Sequence, residues 1–241
     1  MTRFVKTALR ARVLRPTPLV VAAAIARGML TVFCGPMFSG KSEELIRLVN
    51  RLKPAKRNYL VVKPELDTRS KGVRSRNTLK LKGVVSIKKP RDILKAIQVY
   101  ERKNACQLEY VLIDEAQFLA FDTATVQELV AVIDTLLALG INVVLFGLDL
   151  DFKLAPFPVM EALLPRAHKV EKLTAVCTVC NSENAVYTQR LIDGKPAAYD
   201  APIVLIGDTE SYEARCPDCH QVHRPEAEWQ KEFRLAYQKS A

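Results

Sequence analysis

The run Gly35-Pro36-Met37-Phe38-Ser39-Gly40-Lys41-Ser42 has the glycine, lysine and hydroxyl spacing of a loop that cradles phosphate. In such a loop, backbone N–H groups and the positive end of the following helix face the β- and γ-phosphates of a nucleoside triphosphate. Lys41 adds a point charge, and the Ser42 hydroxyl can hold Mg²⁺. Farther along, the apolar run Tyr110-Val111-Leu112-Ile113 delivers Asp114 and Glu115, which is a Walker B arrangement. Asp114 is suited to hold Mg²⁺, directly or through water, and Glu115 to accept a proton from an attacking hydroxyl or water. A second chemistry lies in Cys177-x-x-Cys180 and Cys216-x-x-Cys219, four soft thiolates in two knuckles. That set is suited to a closed tetrahedral Zn²⁺, a structural ion with no position left for substrate. His220 and His223 stand close by as alternative ligands, and the cysteines are favoured over them.

These residues need a scaffold that brings distant segments to one edge. From Leu30 onward, β-branched runs alternate with amphipathic stretches, the pattern of βαβ units in a parallel sheet covered by helices on both faces. The expected strands are Leu30 to Cys34, Tyr59 to Lys63, Val84 to Ile87, Tyr110 to Asp114 and Asn142 to Gly147. Helices are expected from Ser42 to Leu52 and from Pro90-Arg91-Asp92 through Tyr100. A third runs from Thr123 to about Leu139, capped by Asp122 and closed by Gly140. In a parallel sheet, ligands gather outside the carboxyl ends of the strands, where both the phosphate loop and the acid pair fall. The polar, basic stretch from Leu66 to Lys82 reads as a long connection without core elements.

The resulting division is an extension over 1–28, a phosphate-loop domain over 29–174, a zinc-held subdomain over 175–224 and a tail over 225–241. The extension is basic and carries an apolar patch too short to span a bilayer, which suits a flexible arm, a transit segment or a start assigned upstream of Met29. About fifty residues after Thr174 are too few to build a core alone, so a metal must supply what packing does not. Paired cysteines of this kind point to a reducing, cytoplasmic setting. The net charge of +10 suits anionic partners, nucleotide or nucleic acid.

The order and spacing of several segments resemble the cellular, zinc-containing type of thymidine kinase over Met29 to about Arg224. They are Gly35 to Ser42, Lys63-Pro64 with Asp67 and Arg69, and Ile113-Asp114-Glu115-Ala116-Gln117-Phe118. Gly147-Leu148-Asp149 with Phe152 and Phe157 follows, then Leu173 to Cys177, Thr188-Gln189-Arg190-Leu191 and Tyr212 to Cys216. The resemblance implies a RecA-like phosphate-loop domain with a zinc-held lasso that closes over thymidine, ATP as donor and Glu115 as base for the 5′-hydroxyl. It places Asp67 and Arg69 in a flap near the phosphates and groups Asp114, Glu115, Ala116 and Gln117 with the nucleotide site. Met37, Phe118, Phe152, Phe157 and Tyr212 would meet the nucleoside, with backbone around Ile206 and Gly207 reading the base. It further implies deoxyuridine as a second substrate, a homotetramer, dTTP as feedback inhibitor, and no nucleic-acid or membrane partner. Three departures stand out: Asp208 in place of a second lasso glycine, Lys153-Leu154-Ala155 before Pro156, and the extension. Charge and lost backbone freedom at Asp208 are expected to raise the nucleoside KM.

Two other readings fit parts of the chain. An acidic box with zinc knuckles also suits a nucleic-acid-dependent ATPase, but one phosphate loop in 241 residues leaves no room for the paired motor domains such an enzyme needs. A nucleotide-binding protein without catalysis sits poorly with intact Lys41, Ser42, Asp114 and Glu115.

Overall fold

The computed structural model describes residues 27–65, 73–74, 80–81, 83–203, 210–222, 227, 230–231 and 237. In chain order the elements are β1 (Leu30–Cys34), α1 (Lys41–Leu52), β2 (Tyr59–Pro64), β3 (Val73–Arg74), β4 (Lys80–Leu81) and β5 (Val85–Ile87). Next come α2 (Asp92–Asn104), β6 (Tyr110–Ile113), α3 (Thr123–Ala138), β7 (Asn142–Gly147), α4 (Pro158–Leu163) and β8 (Lys169–Lys172). The last three are β9 (Tyr187–Ile192), β10 (Lys195–Pro196) and β11 (Glu210–Arg215).

Six strands form one sheet in the order β5-β2-β6-β7-β1-β8, and every pairing in it is parallel. Its central strands are near-continuous apolar runs because both faces are covered. Alternate residues of a strand serve opposite faces, so Val111 and Ile113 pack with Ile93, Val126, Leu129 and Ile133 of α2 and α3. Leu112 points the other way, to Leu45, Ile46 and Val49 of α1. The stacked rings of Phe33 and Phe146, 5.0 Å apart, lie on the α1 side. The helix ends follow the sequence: Glu43 and Glu44 occupy the positive end of α1, and the Asp122 carboxylate accepts from the Thr125 backbone N–H at 2.9 Å to cap α3.

This strand order positions the chemistry. β7 lies between β1 and β6, with Cys34 level with Gly147 and Ile113 level with Leu145. The chain leaving β7 at Leu148 and Asp149 therefore separates the phosphate loop from the acid pair.

Cysteines 177, 180, 216 and 219 bracket the second sheet, the antiparallel β10-β9-β11. Its small core is Ala175, Cys177, Ala185, Ala214 and Cys216.

Several sequence-based bounds shift by a residue: α1 begins at Lys41 and not Ser42, β2 ends at Pro64 and not Lys63, and β5 begins at Val85 and not Val84. β6 ends at Ile113, one residue short of Asp114, and α2 continues past Tyr100 to Asn104. The stretch from Leu66 to Lys82, expected to hold no core element, contains the antiparallel pair β3–β4. Leu81 of that pair is buried against the α1 side of the sheet, so an apolar residue at the end of a basic segment still finds a core. β8 and α4 were not expected from the sequence. β8 is a mostly exposed edge strand whose Lys-Val-Glu-Lys sequence has no apolar face, and its pairing with β1 alone defines it.

Candidate active site

Gly35 leaves β1 with φ 139°, and a Cβ there would stand 2.3 Å from the Leu173 carbonyl oxygen. Only glycine lets the loop pass this close to the chain leaving β8. The turn closes through Phe38 and Gly40, both left-handed at φ 68° and 84°, before α1 begins at Lys41. The Lys41 ammonium folds back onto the loop, donating to the carbonyls of Pro36 at 2.6 Å and Gly35 at 3.0 Å. Burial pulls its pKa below the ordinary lysine value, while the carboxylates of Glu115, Asp114 and Asp149 act in the opposite sense.

At the end of β6, Asp114 is buried and its N–H is held by the Val62 carbonyl at 3.0 Å. Glu115 has a left-handed backbone, φ 49°, and its carboxylate accepts from the Gln117 side-chain amide at 2.6 Å. Asp149, beyond β7, pairs with Lys172 at 2.8 Å, and the contact raises the lysine pKa.

Beside the phosphate loop lies an open cleft. Met37, Phe118, Phe152, Phe157 and Tyr212, all expected to meet the nucleoside, line it together. Leu148, Leu150, Asp151, Thr188 and Ile203 complete its walls. Phe157 meets Phe118 edge-on with ring centres 6.1 Å apart. The Asp151 carboxylate accepts from the N–H groups of Lys153 and Ala155, which closes a tight turn and presents Phe152. Thr188, whose role the sequence did not give, accepts from the Met37 backbone N–H at 3.0 Å and so joins the phosphate loop to β9. Its signal was a run of polar residues, Thr188 to Arg190, on a strand where all three are buried. The Arg190 guanidinium lies 5.2 Å from the Phe152 ring centre and donates to the Pro202 carbonyl, next to Ile203 of the cleft. Asp67, Arg69, Ile206, Gly207, Asp208 and His223 lie outside the described residues.

The four cysteine sulfurs lie within 4.8 Å of one another, Cys180 and Cys216 at 3.6 Å. Bonds of about 2.3 Å to a tetrahedral zinc would set sulfur–sulfur edges of about 3.8 Å, so the cluster fits the ion. Burial pushes the Cys177 thiol up, yet backbone N–H groups at Cys180, Cys216 and Val179 outweigh it and bring it down to about 6. Hydrogen bonding to Cys216, then burial, pushes Cys219 up to about 12. One thiolate forms readily and its neighbours resist a second negative charge, a conflict that a dication relieves. His220 is not among the four; its ring lies against Tyr187. Among the described residues no helix is long and apolar enough to cross a membrane.

A parallel sheet whose first strand turns through a glycine-lysine phosphate loop, with acids at the ends of neighbouring strands, defines an α/β phosphate-loop enzyme. A family model described as thymidine kinase matches residues 28–220, and the chain belongs to that family. It is thus a kinase that acts on the nucleoside thymidine, and its four-cysteine cluster is of the kind that binds zinc.

Proposed function

We propose that the chain moves the γ-phosphate of ATP to the 5′-hydroxyl of thymidine, and of deoxyuridine, giving the 5′-monophosphate and ADP in deoxynucleotide salvage. The observation that carries this reading is the placement of the phosphate loop after β1 and the acid pair after β6, on either side of the chain leaving β7, beside a cleft lined by Met37, Phe118, Phe152, Phe157 and Tyr212. The N–H groups at the start of α1 receive the β- and γ-phosphates, and Lys41 turns from its own loop carbonyls to them. Ser42 and Asp114 hold Mg²⁺, which when bound neutralises charge on the phosphate oxygens. Phe118, Phe152 and Phe157 clasp the base, Met37 and Tyr212 flank the sugar, and Glu115 takes the proton of the 5′-hydroxyl as its oxygen attacks phosphorus in line. Asp67 and Arg69 serve the phosphates from the flap, and Ile206 and Gly207 read the base edge through their backbones. Zinc on Cys177, Cys180, Cys216 and Cys219 keeps the second sheet against the cleft. A cytoplasmic homotetramer inhibited by dTTP completes the proposal.

The test is phosphoryl transfer from ATP-Mg to thymidine, deoxyuridine, deoxycytidine and deoxyguanosine in Glu115→Gln and parent enzymes. Expected are turnover on the first two nucleosides and a kcat loss of about 10²-fold or more in the variant, with nucleotide binding kept. Near-parent turnover in the variant excludes Glu115 as the base, and hydrolysis of ATP driven by DNA without a nucleoside excludes the whole reading.

A further inference from the structure

Glu115 sits on a flexible side chain, yet an acceptor of the substrate proton must point one way. What directs it is Gln117, a residue with no exposed surface at all. Its side-chain nitrogen donates to the Glu115 carboxylate at 2.6 Å, and its side-chain oxygen accepts from the Leu148 backbone N–H at 3.1 Å. One amide thus spans from the acid after β6 to the chain leaving β7. The fit depends on Gly147, because a Cβ there would lie 2.7 Å from that same amide oxygen and 3.3 Å from the Met160 sulfur. The Ala116–Phe118 turn supports the arrangement, with the Phe118 N–H donating to the Glu115 carbonyl at 3.0 Å. Both ends of the Gln117 amide thus have protein partners, whereas the family resemblance groups the residue with the nucleotide site.

We infer that Gln117 is a positioning residue for the reaction: it fixes the Glu115 carboxylate against the frame of β7, and Gly147 provides the space for it. The inference rests on the reading of Glu115 as the base. Because a donor on one side of a carboxylate leaves the other oxygen to the substrate hydroxyl, losing the donor frees the acid to rotate away from attack geometry.

Steady-state kinetics on the full zinc-loaded chain test this. Gln117→Glu keeps the shape and the acceptor for Leu148 but replaces the donor with an oxygen that repels Glu115. Gln117→Leu removes both bonds. Each is expected to lower kcat by about 10²-fold, the cost of a misplaced reacting group, while KM for thymidine and for ATP stays near the parent value. Gly147→Ala is expected to act in the same direction by displacing the amide oxygen. In a Glu115→Gln background the Gln117 variants should lower kcat no further, since Gln117 acts through the missing carboxylate. Full kcat in folded Gln117→Glu overturns the inference, as does a loss that simply multiplies with that of Glu115→Gln, or a rise in ATP KM with kcat intact. Should Gln117→Leu unfold, the isosteric Gln117→Glu decides alone. If Glu115→Gln itself turns over normally, the base assignment has failed instead, which separates the two outcomes.

Discussion

Lys41 shows how a single side chain prepares a site. With its ammonium turned onto the Pro36 and Gly35 carbonyls, a partly buried cation keeps hydrogen bonds until phosphate replaces them. Lys41→Met is expected to weaken ATP binding and to lower kcat/KM for ATP by at least about 10²-fold, since the lysine charge is lost where negative charge concentrates. Titration calorimetry with ATP-Mg measures the first effect and initial rates the second. Cys34, one residue before the phosphate loop, gives a prediction in pH. Burial, then the charge of Asp149, raises its thiol from 9.0 to about 11. The unfolded chain gives up that proton first, so this thiol destabilises the fold as pH climbs from about 9 to 11 and has no effect below that window. Urea midpoints should fall more steeply with alkali in the parent than in Cys34→Ala. The glycines, Lys41, Ser42, the acid pair and the cysteines were all legible in the sequence because each chemistry imposes a fixed local spacing. Gln117 was legible only as part of a motif. Its bond to Leu148 joins residues 31 positions apart, and no local pattern encodes such a meeting.

At the scale of elements, β1, β2, β6 and β7 could be read to within a residue or so because apolar runs buried on both faces carry their own signal. α3 was equally plain, marked by Asp122 at one end and Gly140 at the other. β8 was not, since its exposed charged residues take strand form only beside β1. β9 was missed for a related reason: its buried positions include Thr188, Gln189 and Arg190, polar residues whose partners come from elsewhere in the fold. Arg190 illustrates what such a residue does for its element. Its planar guanidinium both covers Phe152 and donates to Pro202, tasks that a lysine ammonium cannot combine. Arg190→Lys is expected to raise the thymidine KM by about 10-fold, one hydrogen bond and one ring contact being worth about 1.4 kcal/mol together, with ATP KM unchanged. Initial rates at varied thymidine and varied ATP separate the two.

Over the whole molecule, two sheets divide the labour. The six-stranded sheet carries the phosphate loop and the acids, and the three-stranded sheet, closed at its root by the cysteines, carries Thr188 and Tyr212 to the cleft. Removal of zinc by a strong chelator should therefore abolish thymidine binding while ATP binding persists in the separate core of the larger sheet, a difference that calorimetry with each ligand detects. The change of pattern after Thr174 marks the stretch in which the three-stranded sheet lies. The fold of the smaller sheet was not legible there, because thiolates and pairings remote in sequence determine it.

The hydrogen bond from the Met37 N–H to the Thr188 hydroxyl makes these halves thermodynamically answerable to each other. A ligand that tightens the strand bearing Thr188 also stiffens the turn that receives the donor's phosphates, and reciprocity requires the converse by the same factor. Thymidine and a non-transferable donor analogue should thus bind with mutual synergy, and Thr188→Val should leave two ligands that ignore one another.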